Sequence, residues 1–172
     1  SALVPGTTAG FCRTLLARHR NAVYPAVDAG NGGFGALWRD CEGGLCAITY
    51  AKLDATGAVT SGPTTLMPPG ENSLPRIVAG TGVAAGEWGV SWWSYLADQW
   101  AVFFARLDDD GELLGGPVRL NQGGDLYPWL DGRGHGLAWD GAGWGTVWAE
   151  TAGGPRSIRY AHVSPLGVKQ GG

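Results

Sequence analysis

One connector of the chain gathers side chains that suit a binding site. Residues 125–136, DLYPWLDGRGHG, place aromatic, acidic and basic groups close together: Tyr127, Trp129, Asp131, Arg133 and His135. Aromatic faces beside hydrogen-bonding groups stack on and hold a sugar ring or another flat ligand. We predict that this loop binds a ligand. The alternative is a loop that folds Tyr127 and Trp129 back over its own sheet as a plug.

Two of the three cysteines form a second chemical pair. Cys41 and Cys46 flank the loop EGGL at residues 42–45, as two facing residues of a hairpin do. We predict a local disulfide, which implies an oxidising compartment and therefore a secreted or cell-surface protein. The alternative is two reduced thiols in a cytosolic hairpin. Zinc normally takes four ligands and no further ligand cluster accompanies these cysteines, so we expect neither a metal nor another cofactor.

Motifs for other chemistry are missing from the sequence. It contains no nucleophile elbow, phosphate-binding loop or metal-binding motif. Glycoside hydrolysis needs two carboxylates, and no such pair is singled out by its spacing. The net charge of -3 gives no electrostatic reason to expect nucleic acid or an acidic membrane surface as a partner. No apolar run approaches the roughly 18–20 residues of a membrane span.

The elements that must position these residues come from one segment that occurs three times. Residues 34–62, 88–116 and 144–172 align without a gap at a period of about 55 residues. Each copy opens on an aromatic residue followed by glycine, and each carries a glycine at the same later position. The opening aromatic residues are Phe34, Trp88 and Trp144, and the later glycines are Gly57, Gly111 and Gly167.

Comparison of the three copies distinguishes a structural role from a functional role for single residues. Residues 108–111, DDDG, suggest a calcium loop, but the equivalent residues 54–57 and 164–167 read DATG and SPLG. A shared hairpin turn therefore explains the glycine better than a metal site. His162 aligns with Lys52 and Arg106, which indicates a solvated polar position.

The alternation of side chains within each copy predicts strands, and four strands in about 50 residues form a propeller blade. A content of 31 Gly and nine Trp, with only 16% charged residues, is also typical of an all-β protein with tight turns. We predict one half-propeller over residues 1–172, with blades at about 21–66, 72–120 and 125–172. Residues 1–6, SALVPG, match the continuation that the third copy lacks and are predicted to complete its blade. Residues 7–21 are interpreted as an enlarged connector, or alternatively as a basic anion-binding loop.

Part of the third copy resembles a known family. Residues 137–148, LAWDGAGWGTVW, and 158–163, IRYAHV, resemble tandem β-propeller repeats of large secreted or surface bacterial proteins, which run approximately LAWDGxGWGVVWxDxRxGNxEIYFARLDxxG. Residues 104–108, FARLD, and 50–54, YAKLD, carry the same pattern. The resemblance covers roughly residues 21–172 and implies a propeller fold. It implies no particular activity, because such propellers serve as binding platforms and as enzymes.

Three blades are fewer than the four to eight of closed propellers. We therefore predict a head-to-tail homodimer that forms one six-bladed ring, with a ring shared with another three-bladed polypeptide as the alternative.

The first functional hypothesis is a non-enzymatic, lectin-like module that binds a carbohydrate or protein ligand. The alternatives are a hydrolase or lyase with its site at the mouth of the propeller channel, and a purely structural half-propeller.

Overall fold

A computed structural model describes residues 15–16, 22–121, 135–150, 155 and 157–171. These residues form three four-stranded antiparallel sheets, and the strands of each sheet follow one another in chain order. This confirms the predicted all-β class and the division into three four-stranded units. The predicted contribution of residues 1–6 to the third blade lies outside the described residues. In the described part of the chain, no helix is long and apolar enough to cross a membrane.

The strands have the following bounds. The first sheet contains β1 (Val23–Gly30), β2 (Gly33–Glu42), β3 (Leu45–Asp54) and β4 (Val59–Gly70). The second contains β5 (Asn72–Ala79), β6 (Trp88–Leu96), β7 (Gln99–Leu107) and β8 (Val118–Arg119), with a short 3-10 helix at Gly82–Ala84 between β5 and β6. The third contains β9 (His135–Trp139), β10 (Trp144–Glu150), β11 (Ser157–Val163) and β12 (Lys169–Gln170).

The first strands of the sheets lie beside one another, because β1 contacts β5 and β5 contacts β9. The fourth strands lie at the opposite edges of their sheets. This is the arrangement of propeller blades around an axis, with the first strand of each blade innermost. We refer to the three sheets as the first, second and third blades.

The turns between the third and fourth strands are built in the same way in the first two blades. A carboxylate oxygen of Asp54 accepts hydrogen bonds from the backbone of Thr56 and Ala58, and Asp108 does the same for Asp110 and Glu112. The glycines of these turns have φ values of 85° and 91°, which favour glycine over other residues. Residues 108–111 therefore form a hairpin turn, as the repeat predicted.

The apolar core lies between the blades. One cluster joins Tyr50 of the first blade to Trp88 of the second, and another joins Phe104 of the second to Trp144 of the third. The first residue of the second and third copies, Trp88 or Trp144, lies over the second residue of the copy before it, which is a glycine. A Cβ atom built on Gly35 would lie 3.0 Å from the Trp88 ring, and one built on Gly89 would lie 2.2 Å from the indole nitrogen of Trp144.

Candidate functional site

One edge of the blades combines strained backbone with chemically active side chains. At this edge β1, β5 and β9 begin and β2, β6 and β10 end; we call it the upper rim. Tyr24 and Leu74 lie here with φ values of 53° and 50°, and each precedes a proline within an irregularity of its inner strand. Positive φ in bulky residues costs of order 1–3 kcal/mol and is concentrated at functional sites. The upper rim is therefore a candidate functional region.

A groove of about 330 Å³ opens at the upper rim between the end of β4 and the second blade. Its size lies within the range of small-molecule sites, which combine apolar walls with a few polar groups. The polar lining consists of Glu71, Asn72 and Ser94, and the apolar lining includes Met67, Trp92, Tyr95, Phe103 and Pro117. We call it the Glu71 groove.

Aromatic stacking builds one wall of the Glu71 groove. The rings of Trp92 and Phe103 are stacked, with centroids 5.8 Å apart and planes 17° apart. Tyr95 packs against Trp100 with centroids 5.3 Å apart, and its side chain stays partly exposed. The regular register of β6 and β7 pairs Trp92 with Phe103 and Tyr95 with Trp100, and strand alternation places these two pairs on opposite faces of the second blade. Trp92 is fully buried, so the rings that face the groove are those of the partly exposed Phe103 and Tyr95, which offer aromatic surface to a sugar ring.

The backbone on both sides of Glu71 is fixed by contacts with two blades. The amide side chain of Asn72, which is buried, donates hydrogen bonds to the carbonyls of Cys46 (2.8 Å) and Pro68 (3.1 Å). The backbone N–H of Tyr95 donates to the carbonyl of Glu71 (3.0 Å). The side chain of Glu71 is exposed and lines the groove, so the fold fixes the backbone from which this carboxylate extends.

The disulfide predicted between Cys41 and Cys46 is confirmed. The two residues face each other across β2 and β3 with their Cα atoms 3.9 Å apart, and their sulfur atoms are bonded. The bond closes the hairpin whose Cys46 carbonyl receives the hydrogen bond of Asn72. It therefore supports the backbone that carries Glu71.

Two arginines also lie near the upper rim. The guanidinium of Arg39 lies over the ring of Tyr24, 5.8 Å from its centroid. Arg76 on β5 is partly buried and donates a hydrogen bond to the carbonyl of Pro75 (2.9 Å). Burial lowers the pKa of Arg76, although a guanidinium stays protonated in proteins. No carboxylate of the described residues forms an ion pair with Arg76.

His135 of the predicted binding loop is a buried contact between the second and third blades. The indole N–H of Trp93 donates to its Nδ1 (2.7 Å), and its Nε2 lies 3.0 Å from the Ser91 hydroxyl. Because an indole only donates, the ring is the neutral Nε2–H tautomer, which donates to Ser91. Burial and the charge of Arg76 lower the pKa of His135 to about 3. Strand register places it where the other inner strands have Pro25 and Pro75.

The other four residues of the predicted loop lie outside the described residues: Tyr127, Trp129, Asp131 and Arg133. Their ligand-binding role stays a prediction. The Glu71 groove was missed by sequence reasoning, because its walls come from segments far apart in the chain. The only sequence signal is the charged Glu71 immediately before an inner strand.

Glu150 is a further carboxylate at the end of β10. Glu150, a buried carboxylate, accepts hydrogen bonds from the indole of Trp148 (3.0 Å) and from Arg159 (2.7 Å), so it is committed to its own blade. Within the described ranges, no group of three or more His, Cys, Asp or Glu side chains is arranged to hold a metal ion.

Comparisons with known proteins relate the chain to others by fold alone. No protein-family model matches it, and no curated protein matches it by sequence. The structure of a thermostable family-43 glycoside hydrolase is similar with a TM-score of 0.56 and 15% identity, over 88% of this chain and 55% of that one. A GH43 endo-arabinanase from Bacillus licheniformis is similar with a TM-score of 0.47 and 14% identity, over 87% and 56%. Both are five-bladed β-propeller enzymes.

The chain thus spans about 55% of the length of these structures. The first similarity establishes the fold and, at 15% identity, nothing finer. The three sheets are β-propeller blades.

Proposed function

We propose that this chain is part of a carbohydrate-active hydrolase whose substrate binds at the upper rim. The observation that carries the proposal is the Glu71 groove, where an exposed carboxylate on a fixed backbone adjoins aromatic side chains on a fold shared with a glycoside hydrolase. This is the hydrolase alternative of the sequence analysis. The first hypothesis of the sequence analysis was a non-enzymatic binding module, and the comparisons do not support it.

Glycoside hydrolysis would use Glu71 as one of two carboxylates. One carboxyl group protonates the oxygen of the leaving sugar, and the other acts as base or nucleophile at the opposite side of the ring. Glu71 lies at the edge of the groove, where a bound sugar on the aromatic wall would meet it. The second carboxylate must face the groove from another segment, and the candidates are Asp40 and Glu42 at the end of β2 and Asp131 of the predicted loop.

The disulfide supports a location outside the cytosol. Bonds of this kind persist in oxidising compartments, and polysaccharides of the cell's surroundings are substrates for a secreted enzyme. We therefore propose that the protein is secreted or displayed at the cell surface. Treatment with a thiol reductant is expected to lower activity, because the hairpin supports the backbone at Glu71.

The experiment that separates the hypotheses measures binding and turnover together. The protein is tested on a glycan array and incubated with neutral and acidic polysaccharides, and new reducing ends are measured. A hydrolase releases reducing ends, whereas a binding module retains glycans on the array without release. A purely structural half-propeller neither binds glycans nor releases reducing ends, and that result would contradict both functional hypotheses.

A further inference from the structure

The two junctions between neighbouring blades follow one pattern. Trp88 lies over Gly35 of the blade before it, and Trp144 lies over Gly89. The aromatic residues in the middle of the third strands, Tyr50 and Phe104, are fully buried beneath the following blade. Each blade thus presents a glycine socket on one face and an opening aromatic residue on the other.

The third blade repeats the socket, and among the described residues no aromatic residue of another blade is recorded over it. The three atoms nearest to a Cβ atom built on Gly145 all belong to Tyr160 of the same blade, at 3.1–3.7 Å. Tyr160 is 63% exposed, although its equivalents Tyr50 and Phe104 are fully buried. Ile158 is 77% exposed, although Ile48 and Val102 at the same position are fully buried. A groove of about 360 Å³ marks this face.

The first blade presents the matching aromatic residue. Phe34 is 37% exposed, whereas Trp88 and Trp144 at the same position are fully buried. Val27 on the same face is also exposed, whereas its equivalent Ile77 is buried. An apolar groove of about 420 Å³ runs along this face and is lined by residues that include Val23, Val27, Phe34, Trp38 and Leu53.

We propose that the socket face of the third blade binds the first blade of a second copy of this chain, with Phe34 of that copy lying over Gly145. The contact continues the junction that the chain already forms twice within itself. A second copy is the favoured partner because one chain carries both halves of the contact. Two copies cover all four open faces by two identical head-to-tail contacts. The ring has six blades, within the range of four to eight, and the contact covers the exposed apolar residues described above.

The test compares two substitutions at equally exposed positions. Ile158→Glu places a charge on the socket face, and Val83→Glu places one on the short helix at Gly82–Ala84, away from both open faces; each side chain is 77% exposed. Light scattering at micromolar concentration should give twice the 17.9 kDa chain mass for the unchanged protein and for Val83→Glu. Ile158→Glu should give the single-chain mass. Because Ile158 is exposed, this variant should fold normally by circular dichroism.

Two results would overturn the proposal. The first is an unchanged protein that stays a soluble monomer, which means that the faces are covered by something other than a second copy. The second is a dimer that survives Ile158→Glu, which means that the copies associate through another surface. A substitution on the other face, Phe34→Glu, should also give monomers. Mixing the two face variants should restore dimers, because one of their two contacts then has both faces intact.

Discussion

Protonation of His135 is expected to destabilise the fold in weakly acidic solution. Its ring is buried, receives a hydrogen bond from Trp93 at Nδ1 and donates to Ser91 from Nε2. A proton added at Nδ1 would break the bond from Trp93 and place a charge near Arg76. Burial of the ring, together with the charge of Arg76, lowers the folded pKa to about 3 from the ordinary value of 6.5.

The sign and size of the effect follow from these two values. A group with a lowered folded pKa stabilises the fold fully above its unfolded pKa and loses that contribution as the pH falls toward the folded value. Below about pH 6.5 the free energy of unfolding should therefore fall by up to about 1.4 kcal/mol per pH unit. The loss between about pH 7.5 and about pH 5 amounts to about 2 kcal/mol.

Urea unfolding followed by tryptophan fluorescence at these two pH values measures the loss. His135→Gln removes the titrating ring, so its free energy of unfolding should change by about 2 kcal/mol less between the two pH values than that of the unchanged protein. The control is His162→Gln, because His162 is a partly exposed histidine beside Asp140 and Gln170, away from Trp93 and Ser91. That variant should keep the full loss. An equal loss in the His135→Gln variant would mean that His135 does not titrate in this way and that the reasoning is wrong.

Three further substitutions or measurements test separate features. Gly89→Ala should cost about 1–3 kcal/mol in urea unfolding because its Cβ overlaps the indole of the next blade, whereas Gly116→Ala, with open space around it, should be nearly neutral. Mass spectrometry of the non-reduced, alkylated protein should find Cys41 and Cys46 linked, and labelled thiols there would contradict the disulfide. Trp129→Ala should weaken glycan binding with the fold intact, and a loss of about 3 kcal/mol or more would instead identify a core residue.

Local features of this fold were predictable from the sequence because they depend on neighbouring residues. The turn at Asp108 is an example, since its carboxylate and glycine act within five residues. The disulfide is another, because a four-residue loop brings Cys41 and Cys46 face to face. Comparison of the three copies added information, since DATG and SPLG at the equivalent positions favoured a hairpin turn over a calcium loop.

Features that depend on packing between blades were not predictable. His135 belongs to a polar stretch that suggested a binding loop, yet its partners Trp93 and Ser91 lie about 40 residues earlier. The Glu71 groove likewise needs Phe103 and Met67 to meet across two sheets. Strand alternation determines which way these side chains point, but not how far one blade is rotated against the next.

We propose that the upper rim hydrolyses a glycan with Glu71 as one of its two catalytic carboxylates. The most direct test is the rate of reducing-end release from the polysaccharide that the unchanged protein degrades fastest, compared between Glu71→Gln and Glu112→Gln. Glu112 is an exposed carboxylate in the turn after Asp108, far along the chain from the rim. Loss of a general acid or base should lower the rate by about 10²–10⁴-fold in Glu71→Gln, while Glu112→Gln keeps it. Equal rates in the two variants, or no release by the unchanged protein from any polysaccharide, would contradict the account.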